Sequence, residues 1–263
     1  KWEKKKMIDN INEYFTLENR QQNGAITAEE YAALKSLNID IDFIEKREGF
    51  ETEGYIPTRE GRNDGTIFGN SGVTIGFGVD LGQRSLMDFV GFEDQELIKK
   101  LEPYFGLKKQ DAQNLLLENI RAGNPLVVTE DEANRLSNHI LENLTGTLRT
   151  NFTNLFGVDL ADVPPQLQTV VASIGTQYGP NFLDNPMTEE YDPKTPKFAE
   201  KLREVVQSPE VVRVTPQGSL MSPNIEAYET LIDELRNFGD AYDDRREAEA
   251  DLIQSYIEGI GRL

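Results

Sequence analysis

Two carboxyls and one hydroxyl stand where their surroundings favour chemistry. In "FIEKREGF" Glu48 directly precedes Gly49, at the predicted end of a helix running from about Asp40 and closed by a glycine suited to the left-handed cap. The helix macrodipole opposes ionisation there and burial opposes it further, which favours the protonated form that a general acid needs. In "SGVTIGFGVDLGQ", Ser71 to Gln83, a thin glycine-rich run presents Thr74 and then Asp80. Alternation predicts a strand with Val73 and Ile75 on one face and Thr74 on the other, where its hydroxyl can hold a water or a sugar hydroxyl. Gly72, Gly76 and Gly78 would leave the backbone open to a ligand. Singly, each residue also has an ordinary reading: Glu48 ends a solvated helical face, Thr74 is a strand threonine between bulge glycines, and Asp80 is a turn or helix cap.

The rest of the composition narrows the chemistry. The chain has no cysteine and a single histidine, His139. Thiolate nucleophiles, disulfides and multi-histidine zinc sites are therefore excluded. His139 lies in the amphipathic run "EANRLSNHILENL", far from any G-x-S-x-G elbow, and is expected to pack or to be solvated. Gly76, Gly78 and Gly82 miss the G-x-G-x-x-G spacing by one residue, and no phosphate-binding lysine follows. Carboxylates and hydroxyls remain, and cleaving a glycosidic bond needs little else: one protonated carboxyl for the leaving oxygen and one carboxylate that activates water or attacks carbon. No cofactor is required for that chemistry.

The elements that must position these groups form an α+β pattern. The 29 residues from Gly54 to Gly82 hold 8 of the 21 glycines, together with Pro57, Asn63, Asp64 and Asn70, and predict short strands and hairpins. Helical spacing then dominates, over 95–101, 108–120, 129–148, 165–178, 196–206, 223–238 and 241–260. Thr129 and Glu132 have the spacing of a capping box, and 178–195, with three prolines, is the expected long loop. The expected division is an N-terminal extension at 1–39 and a domain at 40–263, with a β lobe at about 50–83 and a helical lobe beyond it. With 263 residues the chain can bury a substantial core. A net charge of -19 argues against nucleic acid as a partner, and no apolar run approaches the roughly 18 residues that would predict membrane insertion.

The block "EGF", "GYIP" and "SGVTIGFGVDLGQ" resembles the pesticin-type catalytic domain and, more distantly, the phage-type lysozymes. The likeness covers roughly residues 41–240. "TEDEANRLSNHIL" and "PPQLQTVVASIGTQYG" resemble the helical lobe of the same group. The resemblance implies a lysozyme-like fold with Glu48 as general acid, Thr74 as the hydroxyl that positions water, and Asp80 as the second carboxylate. It further implies Tyr55, Gly76, Gly78, Gln83, Gln177 and Tyr178 as substrate contacts. Phage-type lysozymes place the aspartate before the threonine, whereas here it follows by six positions, as in pesticin. Glu51, Glu53, Glu60 and Asp64 are therefore competing upstream carboxylates. The implied activity is a muramidase cutting peptidoglycan between N-acetylmuramic acid and N-acetylglucosamine with inversion. A lytic transglycosylase and a non-catalytic peptidoglycan-binding or docking module are the alternatives.

The segment Asn19 to Glu30 follows the frame of an EF-hand loop, with Asn19, Gln21, Asn23, Ala25 and Glu30 at ligand places and Gly24 at the turn. Neutral amides replace the usual aspartates, so the loop is expected either to hold calcium weakly or to be an empty relic; docking a delivery partner is a third reading. The start at Lys1 without methionine is expected for a piece of a longer protein. The resemblance implies a protein made in the bacterial cytoplasm that acts in the periplasm or cell wall of a target bacterium, with a delivery partner and a cognate immunity protein.

Overall fold

The computed structural model describes residues 36–63, 65–184, 194–207, 210–215, 218–240 and 242–261. The EF-hand-like loop, with its five ligand positions, lies outside the described residues, as do Asp64 and half of the expected long loop, 185–193. The chain divides into two compact units: Ile41–Gly146, and Thr147–Leu263 taken with the stretch up to Asp40.

The first unit starts with α1 (Ile41–Glu48), which ends at Gly49 with φ +70°. The left-handed cap expected there is what lets the chain reverse immediately after the glutamate. Strands β1 (Glu51–Tyr55), β4 (Thr74–Gly76) and β5 (Val79–Asp80) pair antiparallel in the order β1-β4-β5. Between β1 and β4 lies a small hairpin of β2 (Pro57–Thr58) and β3 (Gly61–Arg62). Helices α2 (Gln95–Leu101), α3 (Lys109–Arg121) and the start of α4 (Glu130–Phe156) follow. Asp94 caps α2 by accepting from Leu97 N at 3.0 Å. The capping box before α4 is complete, with Thr129 N to Glu132 Oε2 at 2.7 Å and Glu132 N to Thr129 Oγ1 at 3.1 Å.

One apolar core joins sheet and helices: Ile56, Val73, Ile75, Val79 and Leu81 pack with Leu97, Leu101, Leu116 and Leu136. The compact unit around the sheet therefore runs to Gly146, well beyond the β lobe expected at 50–83. A strand only three residues long buries too little surface to stand without those helices. His139 packs its ring 5.2 Å from Phe92 and 6.2 Å from Phe89, with Nε2 3.0 Å from the Asp88 carbonyl.

Two glycines expected to admit a ligand are filled by protein instead. A Cβ at Gly72 would stand 2.4 Å from the Leu107 carbonyl oxygen and 2.5 Å from Gly82 Cα; one at Gly76 would meet Ser137 Oγ at 2.5 Å. Both positions are buried. Their missing side chains serve close packing, and of the three only Gly78 is exposed. Gly72→Ala is expected to cost about 1–3 kcal/mol through backbone that cannot step aside. Gly146→Ala, in helix α4 with nothing within 4 Å of an added Cβ, is expected to gain roughly 0.5–1 kcal/mol. Urea unfolding of the two variants reads both signs.

The second unit contains the end of α4, then α5 (Pro165–Tyr178), α6 (Lys194–Gln207), a hairpin of β6 (Glu210–Thr215) and β7 (Gly218–Ser222), α7 (Ile225–Arg236) and α8 (Asp243–Gly261). The hairpin was not foreseen. It pairs Val214 with Ser219 and Thr215 with Gly218, and its visible signals are the β-branched run "EVVRVT" and the turn-former Gly218. Buried in this unit are Arg245, Arg246 and Glu249 of α8 together with Ser173 of α5. Among the described residues no helix is long and apolar enough to cross a membrane.

Candidate active site

The register of the sheet builds the site. Tyr55 pairs with Thr74, and Thr74 pairs with Asp80. Directly opposed residues of antiparallel strands share a face, so phenol, hydroxyl and carboxylate form one row across β1, β4 and β5. Glu48 arrives from α1: a Cβ at Gly78, in the β4–β5 turn, would stand 3.2 Å from Glu48 Oε2. The turn is fixed from two sides. Phe77 N donates to Ser137 Oγ at 3.0 Å, and the Phe77 ring lies 4.7 Å from that of Phe50, which follows the helix cap. The chain just after Glu48 and the strand turn are thus held together by Phe50 and Phe77.

Asp80 is tied to the backbone through one of its oxygens. Its Oδ1 accepts from both Gly72 N and Gly82 N at 2.9 Å, capping the short 3-10 turn Leu81–Gln83. The cap expected of an ordinary aspartate is therefore present, and Oδ2 is the oxygen that takes neither backbone bond. Burial raises its pKa above the usual carboxylate value. It does so against the lowering by the Gly72 and Gly82 N–H groups, Gln83 and the Arg84 charge. Among the described residues Thr74, 4% exposed, reaches only the Gly72 carbonyl, at the long distance of 3.5 Å, so its hydroxyl retains hydrogen-bonding capacity.

Tyr55 is half-buried, and its hydroxyl has no hydrogen-bond partner among the described residues. By contrast the Tyr104 hydroxyl accepts from Asn119 Nδ2 at 2.8 Å. Burial pushes the Tyr55 phenol up, the Arg62 charge pulls it down, and the charges of Glu51, Glu48 and Asp80 push it further up. One phenol thus senses both carboxylates. The phenol oxygen is thus open to solvent or to a ligand.

Two of the competing carboxylates are occupied elsewhere. Glu51 ion-pairs with Arg62, and Glu60 Oε2 accepts from Thr66 N at 2.8 Å in its own loop. Glu53 is exposed, in a bridge opposite Val127. Gln83 is exposed, donating to the Asn70 carbonyl at 3.0 Å and accepting from Lys108 Nζ at 2.7 Å. In the second unit, Gln177 accepts from Arg246, and Tyr178 donates to Asp240 at 2.9 Å. Their polar atoms are thus engaged in the buried charge network of α8. Among the described residues, no group of three or more histidines, aspartates or glutamates is gathered to hold a metal.

Sequence reasoning missed Arg62, Arg84 and Ser137. Ser137 lies 60 positions from the backbone group it holds, a separation that no local pattern announces. No curated protein matches the sequence. A family model described as "Pesticin: Bacterial toxin homologue of phage lysozyme, C-term" matches residues 38–202, the stretch that contains Glu48, Tyr55, Thr74 and Asp80. With well over half of its residues covered by that match, the chain belongs to the pesticin family of bacterial toxin homologues of phage lysozyme.

Proposed function

We propose that the chain is an inverting muramidase that cleaves the β-1,4 bond between N-acetylmuramic acid and N-acetylglucosamine in peptidoglycan. The observation that carries this reading is the cross-strand row Tyr55–Thr74–Asp80, with the Glu48 carboxyl seated at the turn of the same hairpin. Glu48 gives its proton to the glycosidic oxygen as the bond to the anomeric carbon breaks. A water held at the Thr74 hydroxyl loses a proton to Asp80 Oδ2 and attacks that carbon from the opposite face. Glu48 ends ionised and Asp80 protonated, and solvent resets both. Made in a bacterial cytoplasm, such an enzyme acts on the wall of a target cell, which fits its membership of a toxin family.

The test is digestion of purified peptidoglycan by the wild type, Glu48→Gln and Asp80→Asn, with mass analysis of the fragments. Reducing-end muropeptides, lost in both variants, are the expected result. Anhydro ends would replace this reading with a lytic transglycosylase, and no release by the wild type would leave a binding module.

The raised pKa of Asp80 gives two signed expectations. A base must be ionised, so activity falls as pH drops through its folded pKa, and the acidic limb of kcat/KM stands above the ordinary aspartate value. Arg84→Met removes a charge that lowers this pKa and should move the limb further up, as a pH-rate profile will read. For stability the sign is opposite. A carboxyl whose folded pKa is raised contributes stability below its unfolded pKa and loses it as pH rises through the folded one. Asp80→Asn is therefore expected to unfold at a higher temperature than the wild type near neutral pH, with the gap closing in acid.

A further inference from the structure

Resting on the muramidase reading, we infer that Arg62 is a specificity residue that receives a carboxylate of the peptide stem carried by N-acetylmuramic acid. The Arg62 guanidinium lies over the Tyr55 ring, 4.6 Å from its centroid, at the β1 end of the row that includes Thr74 and Asp80. A substrate aligned on that row presents its muramyl substituent beside this edge or the opposite one. Among the described residues, the cation stacked on the row at its β1 edge is Arg62.

The position of Arg62 is built. Asn63, next in the chain, holds φ +63°. Its Oδ1 accepts from Ile56 N at 2.8 Å, its own N–H donates to the Ile56 carbonyl at 3.0 Å, and its carbonyl accepts from Gln113 Nε2 at 2.7 Å. Three hydrogen bonds thus fix the residue that follows Arg62 at the end of β3. The present partner of Arg62 is Glu51, and both face solvent, with side chains 52% and 28% exposed. An exposed pair of this kind contributes little, about 0–1 kcal/mol. Exchanging one carboxylate for another at Arg62 therefore costs little, provided Glu51 can turn to water.

The substrate supplies the incoming group. The sugars of the glycan strand are neutral in themselves, and the stem peptide carries free carboxylates. In a chain of net charge -19 an anionic strand is repelled at long range, and a planar guanidinium is the side chain best shaped to receive a carboxylate by two parallel bonds. Glu51 then acts as a placeholder, keeping Arg62 stacked on Tyr55 until the stem arrives and competing with it.

The experiment compares glycan strands bearing stem peptides with the same strands stripped of peptide by an amidase. It uses the wild type, Arg62→Gln, Arg62→Lys and Glu51→Gln. The wild type is expected to show a KM about tenfold lower on peptide-bearing strands, the size of one charge-assisted contact. Arg62→Gln collapses the ratio to about one, Arg62→Lys keeps part of it, and Glu51→Gln lowers KM on peptide-bearing strands below that of the wild type. A merely structural role for the pair would move both substrates together and would not give Glu51→Gln a gain. A wild-type ratio near one, or an unchanged ratio in Arg62→Gln, overturns the inference. If the wild type cuts neither strand, the muramidase reading has failed and the inference is judged separately by calorimetry with N-acetylmuramyl tripeptide. Weaker binding by Arg62→Gln sustains it, and equal binding rejects it.

Discussion

Replacing Glu48 with glutamine is expected to slow reducing-end release from peptidoglycan about a thousand-fold, within the range general acids supply, while leaving the unfolding midpoint within a few degrees of the wild type. The amide preserves the shape beside Gly78, where the carboxyl oxygen has its close backbone approach, but it has no acidic proton to give the leaving oxygen. Glu45, one helical turn earlier, provides the contrast. Burial and then the nearby Asp42 raise its pKa, so a search for perturbed carboxyls alone would select it. Nothing ties it to the β4–β5 turn, and Glu45→Gln is expected to retain activity within about twofold. Fragment analysis and initial rates on the two variants side by side separate position in the site from mere elevation of pKa. Equal losses would mean that α1 acts through its packing, with neither carboxyl reacting.

Arg246→Met is expected to destabilise the protein by about 3–5 kcal/mol, the penalty for leaving buried charge uncompensated. Arg246 is 1% exposed and Glu249 fully buried. The guanidinium donates to Asp240 Oδ2 from Nε at 3.0 Å and from its NH2 group at 2.9 Å, pairs with Glu249, and covers the Phe238 ring at 4.6 Å. Glu249 keeps Ser173 Oγ at 2.5 Å and Arg245 at 3.4 Å, which is too little to balance two carboxylates. Burial raises the pKa of Asp240, but bonds and charge from Arg246, with Tyr178 and the Tyr242 N–H, outweigh it and hold the carboxyl below its usual value. A lowered carboxyl contributes stability above its unfolded pKa and loses it as pH falls through the folded one, so the difference between variant and wild type should narrow in acid. Arg236, whose partners Glu247 and Asp251 are 55% and 64% exposed, gives the comparison: Arg236→Met should cost under about 1 kcal/mol. Urea titrations at neutral and acid pH measure all of this.

What could be read in the sequence was local. The cap at Gly49, the capping box at Thr129 and Glu132, and helices such as Gln95–Leu101 and Pro165–Tyr178 follow from signals within a few residues of where they act. The facing of Thr74 away from Val73 and Ile75 is equally local. What required the fold was every choice among several locally similar candidates. Gly72, Gly76 and Gly78 are alike in sequence, yet two are filled by Leu107 and Ser137 and one faces Glu48. Glu51 and Glu60 are carboxylates like Asp80, and only pairing with Arg62 and Thr66 shows them occupied. Gln177 and Tyr178 sit at a suggestive helix end, but their polar atoms meet side chains more than 60 positions away.

The double duty proposed for Asp80 has an evolutionary consequence. The two backbone bonds at Oδ1 need only an acceptor, which asparagine also provides, while under the proposed mechanism the charge that is costly in that buried place serves turnover alone. Loss of catalysis through this position thus runs thermodynamically downhill. Once selection for killing relaxes, copies of such a toxin domain can drift into stable pseudoenzymes that still recognise the wall, and a substitution of one functional group separates a weapon from a lectin-like module.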